Sequence, residues 1–327
     1  MSVKIGNIDL GEFPLLLAPM EDVSDPPFRA ICKEYGADVM FTEFISSEGL
    51  IRDAFKSLQK LDIFEYERPI AIQIFGHDIN SMRKSTEICE KVNPDFIDIN
   101  YGCPVKKVTC KGAGAGILKD IPKMVKMTKE IVNSTHLPVT VKTRLGWDDN
   151  SKYIVEVAEK LQDVGIKAIS IHGRTRKQMY KGEADWSLIA KVKENNRITI
   201  PVFGNGDVDC AQSAKQKKEK YGVDGIMIGR GAIGYPWIFN EIKHFLKTGE
   251  LLNKPNLKER INICRKHLKF SIKWKGEVLG IVETRRHYSN YFKNIPNFKS
   301  YRIELVTAEN SEKVYEILNK IESKFVE

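Results

Sequence analysis

The sequence places Cys103 between a glycine and a proline, directly after the apolar run FIDI and two polar residues. A thiol in this position has four possible roles: packing in the core, ligating a metal, forming half of a disulfide, or donating a proton to a bound substrate. Cys110 lies nearby in sequence, but no further His or Cys stands at ligand spacing, and the six cysteines include no CxxC pair. The pattern therefore predicts neither a metal site nor a disulfide framework. Packing and proton donation both remain open at this point.

Three other polar side chains stand in apolar runs that have the character of buried strands. Lys142 ends such a run, and a buried lysine is costly unless it is paired. A cation there could stabilise an electron-rich ring such as a reduced flavin. His172 offers a hydrogen-bond donor at a similar position, although a lone histidine at a strand end is more often structural. Gln73 can both donate and accept, which matches the pyrimidine edge of a flavin.

Two glycine-bearing segments, GNGD at 204–207 and IGRG at 228–231, follow the last two apolar runs. Glycine lets backbone N–H groups close on an anion, and the start of a following helix adds a positive field. The two segments therefore predict a phosphate site, with Arg230 as a source of charge. Ordinary tight turns are the alternative. GAGAG at 112–116 lacks the spacing and the preceding strand of a dinucleotide site, so we expect a flexible loop there.

Eight short apolar runs alternate with helix-like segments through the first three quarters of the chain. The runs are LLLAPM (15–20), VMFTEF (39–44), IAIQIFG (70–76), FIDINYG (96–102), VTVKTR (139–144), AISIHGR (168–174), IPVFGNG (200–206) and GIMIGRG (225–231). Continuous apolar strands are typical of parallel sheets covered on both faces. Eight strand–helix units predict an α/β fold, a (β/α)8 TIM barrel. An open doubly wound sheet is the alternative, but it would have fewer strands and a glycine-rich first turn.

The candidate functional residues stand at or near the carboxyl ends of these eight runs. The carboxyl ends of barrel strands converge on one face, where active sites lie. The N-terminal pattern KIGNIDLGEF predicts a hairpin that closes the opposite end. Beyond residue 250 the alternation is replaced by helical patterns. We therefore expect a catalytic barrel over residues 1–250 and a smaller C-terminal helical domain over residues 251–327.

Charge is concentrated in the segment 254–302, which holds 13 Lys or Arg and three Glu, a net charge of +10, against +9 for the whole chain. A basic segment on a near-neutral body predicts a polyanion partner, although a solvated helix surface is the alternative. No apolar run approaches the roughly 20 residues that a membrane-spanning helix needs. The N-terminus also lacks an apolar signal core. We expect a cytoplasmic monomer with no membrane contact.

Taken together, the motifs resemble the tRNA-dihydrouridine synthase family, most closely its bacterial B-type branch. The matching stretches are APMxxVSDxPFR, IQIFG, DINYGCPVKKV, VTVKTRLGW, IHGRTRxQxYxGxADW, PVFGNGD and MIGRG with PWIF. The resemblance covers residues 3–245 and continues more weakly beyond them. It implies an FMN-bound barrel that reduces the carbon 5–carbon 6 double bond of uridines in tRNA, with NADPH supplying the electrons.

The resemblance also implies roles for individual residues. It makes Cys103 the acid that protonates carbon 5, for which a thiol on a loop is suited. It implies FMN contacts from Pro19, Met20, Glu21, Gln73, Lys142, His172, Asn205, Gly206, Asp207, Gly229 and Arg230. We expect RNA contacts from Lys106, Lys107, Arg144, Arg174, Arg176, Arg285, Arg286 and Lys293. The chain departs from the family at Asn290, where a tryptophan is common.

Two other functions remain open from the sequence. One is an FMN dehydrogenase of a free pyrimidine, of the dihydroorotate type, although a small anionic substrate would not require the +10 segment. The other is a non-catalytic RNA-binding flavoprotein, which loss of Cys103 would leave unaffected.

Overall fold

The computed structural model describes residues 2–326. Eight parallel strand positions form a barrel surrounded by helices, which confirms the predicted (β/α)8 fold. The strands are β1 (Lys4–Ile5), β2 (Ile8–Asp9), β3 (Leu15–Leu17), β4 (Met40–Phe41), β5 (Ile45–Ser46), β6 (Ile70–Phe75), β7 (Phe96–Asn100), β8 (Val139–Arg144), β9 (Ala168–His172), β10 (Val202–Asn205) and β11 (Gly225–Ile228).

The barrel strands follow one another in the order β3, β11, β10, β9, β8, β7, β6 and β4, all parallel. A parallel bridge between Leu16 and Val39 joins the two ends of this order and closes the ring. One position is shared, because β4 pairs with the first half of β6 and β5 with its second half. Most strands end before the predicted runs do, since the polar residues that follow them leave the ladder and form the rim.

The helices are α1 (Pro26–Glu34), α2 (Ser47–Leu50), α3 (Phe55–Gln59), α4 (Ile79–Glu90), α5 (Lys106–Thr109), α6 (Ile121–Asn133), α7 (Ile154–Asp163), α8 (Ser187–Glu194), α9 (Ala211–Tyr221), α10 (Ile238–Thr248), α11 (Leu257–Lys275), α12 (Glu277–Tyr291), α13 (Lys299–Thr307) and α14 (Ser311–Phe325). Helix α6 illustrates why such a segment forms a helix and packs on the barrel. The Asp120 side chain caps it by accepting a hydrogen bond from Lys123 N, and Met124, Met127 and Ile131 bury one face. This spacing is that of an amphipathic helix lying on a core.

The hairpin of β1 and β2 covers the amino-terminal end of the barrel, as predicted. Ile5 and Leu10 pack in one cluster with Phe96 and other side chains of the barrel interior. Gly6 fits tightly against Pro138, just before β8, since a Cβ at Gly6 would lie 2.9 Å from the proline ring. With this end filled, the cavity lies at the carboxyl ends of the strands.

Helices α11 to α14 follow a segment, 249–256, that is neither helix nor strand, and the predicted boundary after residue 250 falls within it. Their core also contains Ile31 and Trp237 from the barrel side. Lys275 Nζ forms a buried ion pair with Asp25 at 2.8 Å, which ties α11 to the start of α1. Within residues 2–326, no helix has the length and apolar character needed to cross a membrane.

Candidate active site

A cavity of about 1080 Å³ opens at the carboxyl ends of the barrel strands. Ligand pockets commonly measure about 300–1,000 Å³, so this one has room for a cofactor and part of a second ligand. The C-terminal helices supply its outer wall. The predicted residues on its wall are Pro19, Met20, Glu21, Cys103, Lys142, Arg144, His172, Asn205, Gly206, Asp207, Gly229, Arg230 and Lys293.

Cys103 lies in a backbone turn that is held by the end of β7. Asn100 Oδ1 accepts hydrogen bonds from Gly102 N at 3.0 Å and from Cys103 N at 2.9 Å. Cys103 O in turn accepts from Ala115 N at 3.0 Å. The side chain lines the cavity but is only 7% exposed. Burial raises the pKa of the Cys103 thiol, so the group keeps its proton at neutral pH.

The GAGAG stretch does not form the open flexible loop that we expected. It leads into a buried 3₁₀ helix at Gly114–Lys119. A Cβ at Gly114 would lie 2.9 Å from Cys103 O, and one at Gly116 would lie 2.6 Å from Thr109 O. The glycines therefore allow close packing against the Cys103 turn, a role that sequence alone does not distinguish from flexibility.

Lys142 and Asn205 face each other across the cavity floor. Lys142 Nζ donates to Asn205 Oδ1 at 3.4 Å, and Asn205 Nδ2 donates to Met227 O at 2.8 Å. Burial, reinforced by the charge of Arg144, lowers the pKa of Lys142 to about 8. The ammonium form thus predominates at pH 7, and an anionic group bound beside it would stabilise that form further.

His172 is neutral, and its tautomer follows from its neighbour. Arg174 Nη1 lies 3.2 Å from His172 Nε2. A guanidinium can only donate, so Nε2 accepts and the ring proton resides on Nδ1. Burial, together with the charges of Arg144 and Lys142, holds the pKa of His172 well below its usual range. The neutral ring therefore carries one N–H donor, and His172 lies on the cavity wall.

Asp207 holds two arginines beside the cavity. Its carboxylate accepts from Arg174 Nη2 at 2.6 Å and from Arg230 Nη2 at 3.1 Å. It also accepts from Ala184 N at 2.7 Å. Burial alone would raise the pKa of Asp207, but the hydrogen bonds from Arg174 and Ala184 outweigh it and lower the pKa. The carboxylate is thus occupied within the protein.

Gly206 brings bare backbone to the cavity wall. Its φ is +122°, and a Cβ there would lie 2.6 Å from Ala184 Cβ and 3.0 Å from His172 Cδ2. Only glycine fits this position. At Gly229 a Cβ would meet Ala18 Cβ at an ordinary 3.5 Å. Glycine at 206 therefore allows the backbone to pack closely against Ala184 and His172 on the cavity wall, and the phosphate site at this segment stays a prediction.

Gln73 does not line the cavity, and its predicted contact with a flavin edge stays a prediction. Its side chain is fully buried within the barrel. Nε2 donates to Asp98 Oδ2 at 2.5 Å, and Oε1 accepts from Asn100 Nδ2 at 2.8 Å. Gln73 pairs in register with Asp98, one layer below Asn100, so both of its polar ends are used by the protein.

Arg144 and Arg174 are also not surface ligands for phosphates, contrary to expectation, because both are 2% exposed. Arg144 Nε donates to Gly102 O at 2.7 Å. Its Nη1 donates to Thr175 O at 3.1 Å and Met179 O at 2.8 Å. Arg144 thus joins the Cys103 turn to the loop after β9, while Arg174 is bound by Asp207 as described above.

The remaining barrel residues predicted to contact RNA differ in exposure. Lys106 and Lys107 are exposed on α5, next to the Cys103 turn. Arg176 is half-buried: Nη2 donates to Thr109 Oγ1 at 3.1 Å, and the guanidinium lies 4.8 Å from the Trp147 ring centroid. Lys106 and Lys107 therefore remain available to a phosphate backbone, whereas Arg176 mainly holds neighbouring loops together.

The three predicted cations of α12 and the turn after it are likewise unequal. Arg285 Nη2 donates to Ala308 O at 2.8 Å. Arg286 Nη1 forms an ion pair with Asp22 at 3.0 Å. Lys293 is exposed and lines the cavity. Of the three, Lys293 is the one presented to a ligand.

Sequence reasoning missed several residues of the cavity wall. Lys254, Arg260 and Asn294 line its outer side. Lys254 and Arg260 were counted in the basic segment, but nothing in their spacing sets them apart from the other cations. Tyr180 was also missed: its ring lies 5.6 Å from the Arg144 guanidinium and 5.3 Å from that of Arg230. In the sequence, Tyr180 is marked only by its place in the motif IHGRTRxQxYxGxADW, which also contains His172.

Comparison with known proteins identifies the family of this chain. A family model described as dihydrouridine synthase (Dus) matches residues 16–326. The chain belongs to this family. It is 38% identical over 301 residues to a probable tRNA-dihydrouridine synthase of Rickettsia conorii, covering 92% of this chain and 90% of the relative. It is 38% identical over 312 residues to tRNA-dihydrouridine synthase B of Pseudomonas putida, covering 95% and 91%. The resemblance inferred from the motifs is confirmed.

Solved structures with the same architecture support the fold of this dihydrouridine synthase family member. Histamine dehydrogenase from Rhizobium sp. 4-9 aligns with a TM-score of 0.58 and 11% identity, over 82% of this chain and 50% of that one. A mutant of morphinone reductase in complex with tetrahydroNAD aligns with a TM-score of 0.54 and 11% identity, over 79% and 92%. At such low identity the likeness concerns the fold alone.

Proposed function

We propose that this chain is a flavin-dependent tRNA-dihydrouridine synthase that uses FMN and takes electrons from NADPH. The observation that carries the proposal is the position of Cys103: a protonated thiol on the wall of one cavity with Lys142 and His172, in a member of the dihydrouridine synthase family. The relatives named as tRNA-dihydrouridine synthases support the choice of substrate.

The residues around the cavity fit FMN. Lys142 provides a cation for an electron-rich ring, and His172 provides an Nδ1–H donor. Gly206 and Gly229 place backbone on the cavity wall, and Arg230 adds positive charge for a phosphate. When bound and reduced by NADPH, FMN would supply the hydride that reaches carbon 6 of uracil.

Cys103 would complete the reaction as the general acid. As hydride adds to carbon 6, negative charge develops toward carbon 5 and the neighbouring carbonyl. The Cys103 S–H bond would break while a C–H bond forms at carbon 5, and the thiolate that remains would take a proton from water. The raised pKa of Cys103 favours this return to the thiol at neutral pH. General acids commonly contribute about 10²–10⁴-fold to a rate.

The surface around the opening suits a nucleic acid. Lys106, Lys107 and Lys293 are exposed near the mouth or on the wall of the cavity, where they can bind phosphates. Such contacts would offset the few kcal/mol needed to unstack a uridine from folded tRNA. We further propose that the protein acts as a cytoplasmic monomer, since a single chain supplies the barrel wall and the helical wall of the cavity.

A free pyrimidine explains the site less well. Such a substrate would be served by the barrel residues alone, whereas the cavity extends to Lys254, Arg260 and Lys293 of the basic segment. Mapping dihydrouridine in RNA from cells that lack this gene tests the proposal directly. Loss of dihydrouridine at defined tRNA positions, restored by the gene but not by its Cys103→Ala variant, is expected. Unchanged dihydrouridine in cells that lack the gene and have no second family member would overturn the proposal.

A further inference from the structure

The short helix α3 carries two apolar side chains that face solvent. Phe55 is 76% exposed, more than any other large apolar side chain of residues 2–326, and Leu58, three positions later, is also exposed. Side chains three positions apart lie on the same side of a helix. No residue of α3 is buried. The helix therefore presents an apolar surface, Phe55 and Leu58, that does not contribute to the core of the fold.

The residues on either side of α3 place it at the mouth of the cavity. Phe44, which lines the cavity, comes directly before β5, and β5 pairs with the carboxyl-terminal half of β6. Lys60, directly after α3, lies 6.0 Å from the centroid of the Phe44 ring and pairs with Glu21 of the cavity wall at 2.6 Å. A helix rises about 1.5 Å per residue, so Phe55 precedes Lys60 by only about 7.5 Å. Phe55 thus lies beside the opening.

The charge of this segment suits a polyanion. Arg52 and Lys56 stand on either side of Phe55 in the sequence and are exposed, and neither forms an ion pair within the described part of the chain. Asp53 is the only acid from residue 52 to residue 60. Proteins bind single-stranded nucleic acid with this combination, in which cations contact the phosphates and an aromatic ring stacks on a base.

A uridine that enters the cavity leaves its neighbours in the RNA without a stacking partner. An enzyme that modifies a base of a folded nucleic acid must take that base out of the stack. The adjacent bases then each expose one face. An aromatic ring beside the mouth can cover such a face, and stacking tolerates any base because every base has a π-face. The position and exposure of Phe55 meet this requirement.

We propose that Phe55 is an RNA-binding residue whose ring stacks on an unpaired base close to the target uridine. The proposal rests on the proposed function, because it takes tRNA as the substrate of the cavity. Arg52 and Lys56 bind phosphates on either side of that base. The stacking contact differs from these phosphate contacts in one measurable respect: it releases no counterions, so its strength does not follow the salt concentration.

The test measures binding of unmodified tRNA to the full-length protein saturated with FMN, over a range of salt concentrations. Phe55→Ala should weaken binding by about 5- to 150-fold, the range for the loss of one stacked ring. The slope of log affinity against log salt should stay the same, because no phosphate contact is lost. Phe55→Trp should retain the affinity of the unchanged protein. Phe55→Leu is the matched control: it keeps an apolar side chain without a ring and should bind as weakly as Phe55→Ala.

A neighbouring phosphate contact should give the opposite result. Lys56→Met should flatten the salt slope by about one, because it removes a cation and leaves the ring in place. The FMN content and melting temperature of every variant serve as controls for folding. Both should match those of the unchanged protein, since α3 has no buried residue.

Equal tRNA affinity of Phe55→Ala and the unchanged protein would overturn the proposal. So would normal binding by Phe55→Leu, because an apolar contact would then suffice. If Phe55 instead holds a second copy of the chain, sedimentation without tRNA will show a dimer that Phe55→Ala abolishes, and the proposal is again wrong.

The binding measurement requires neither NADPH nor dihydrouridine formation, so the two proposals fail separately. If tRNA binding depends on a ring at position 55 but the unchanged protein forms no dihydrouridine, only the proposed function is wrong. If dihydrouridine forms and Phe55→Ala binds tRNA normally, only the role of Phe55 is wrong. A protein that neither binds tRNA nor forms dihydrouridine would overturn both.

Discussion

The barrel mouth and the C-terminal helices both bring cations to one cavity, but in different states. In the barrel, Lys142 and Arg144 are held by fixed partners, Asn205 and backbone carbonyl groups. At the end of α12, Lys293 extends from an exposed turn, and among residues 2–326 it has no ion-pair partner. The first group is suited to a ligand with one defined geometry, and the second to a flexible chain of phosphates.

The comparison shows that the charge of a Lys or Arg does not by itself determine what it can bind. The side chain is available to a ligand only where its N–H groups are not already hydrogen-bonded within the protein. The segment 254–302 carries a net charge of +10, yet several of its cations are committed within the fold. Lys275 binds Asp25, Arg286 binds Asp22, and both contacts join the helices to the barrel. A count of Lys and Arg therefore overstates the surface offered to RNA.

The largest expected effect lies in the barrel. Cys103→Ala should lower dihydrouridine formation by about 10²–10⁴-fold, because the proton for carbon 5 is lost. Single-turnover kinetics with tRNA measure this effect. FMN content and reduction by NADPH serve as controls and should be normal, since the thiol acts on uracil only. Near-normal turnover would show that another group donates the proton.

The junction between the two regions should show the next largest effect. Lys275→Met leaves the buried Asp25 and the neighbouring Glu283 without the cation that pairs with both, and breaking a buried pair costs about 3–5 kcal/mol. Urea unfolding measures the loss. As a control, Lys313→Met removes a partner of the exposed Glu316, and such pairs contribute less than about 1 kcal/mol. Equal losses in the two variants would contradict the assigned role of the buried pair.

The burial of Lys142 predicts that the stability of the fold depends on pH. Its pKa is lowered to about 8 from 10.5, so the fold favours the neutral amine. That contribution to stability is fully present above pH 10.5 and is lost as the pH falls through 8. The unliganded chain should therefore gain stability relative to Lys142→Met as the pH rises from 8 to 10.5. Denaturant unfolding at both pH values measures the difference in free energy of unfolding between the two proteins. If this difference does not change with pH, the Lys142 ammonium is exposed to water in the folded chain.

The smallest expected effect is on tRNA binding, and it distinguishes two cations of the helical region, Lys293 and Arg285. Lys293→Ala should weaken tRNA binding and flatten the slope of log affinity against log salt by about one, as one phosphate contact is lost. Arg285→Ala should leave that slope unchanged, because Arg285 donates to Ala308 O within the helices. Binding titrations over a range of salt concentrations test both. If Arg285→Ala alters the slope and Lys293→Ala does not, the assignment of the exposed cation is wrong.

Much of the fold could be predicted, because continuous apolar runs and amphipathic helices each have a period that the chain displays. The carboxyl ends of the strands then brought Cys103, Lys142 and His172 to one cavity. Gln73 could not be placed in the same way. Its position in β6 is inside the barrel but one layer below the mouth, and periodicity gives the face of a strand rather than the depth along the barrel.

The sequence also does not predict which ion pairs and close contacts individual residues form. Arg174 and Asp207 lie 33 positions apart, and their ion pair depends on how two loops meet. The composition of the GAGAG stretch predicts a flexible loop, whereas its glycines permit close packing around Cys103 O. Such contacts are set by tertiary structure, which local composition does not encode.

One reaction tests the central claim most directly. The protein is saturated with FMN, reduced by NADPH without oxygen, freed of nucleotide and mixed with tRNA that lacks modifications. We predict that the flavin is reoxidised and that dihydrouridine forms at one or a few positions in equal amount. Mass spectrometry of the tRNA and the flavin absorbance measure both. If the flavin remains reduced and no dihydrouridine appears, although the tRNA is bound, the chain is not a tRNA-dihydrouridine synthase.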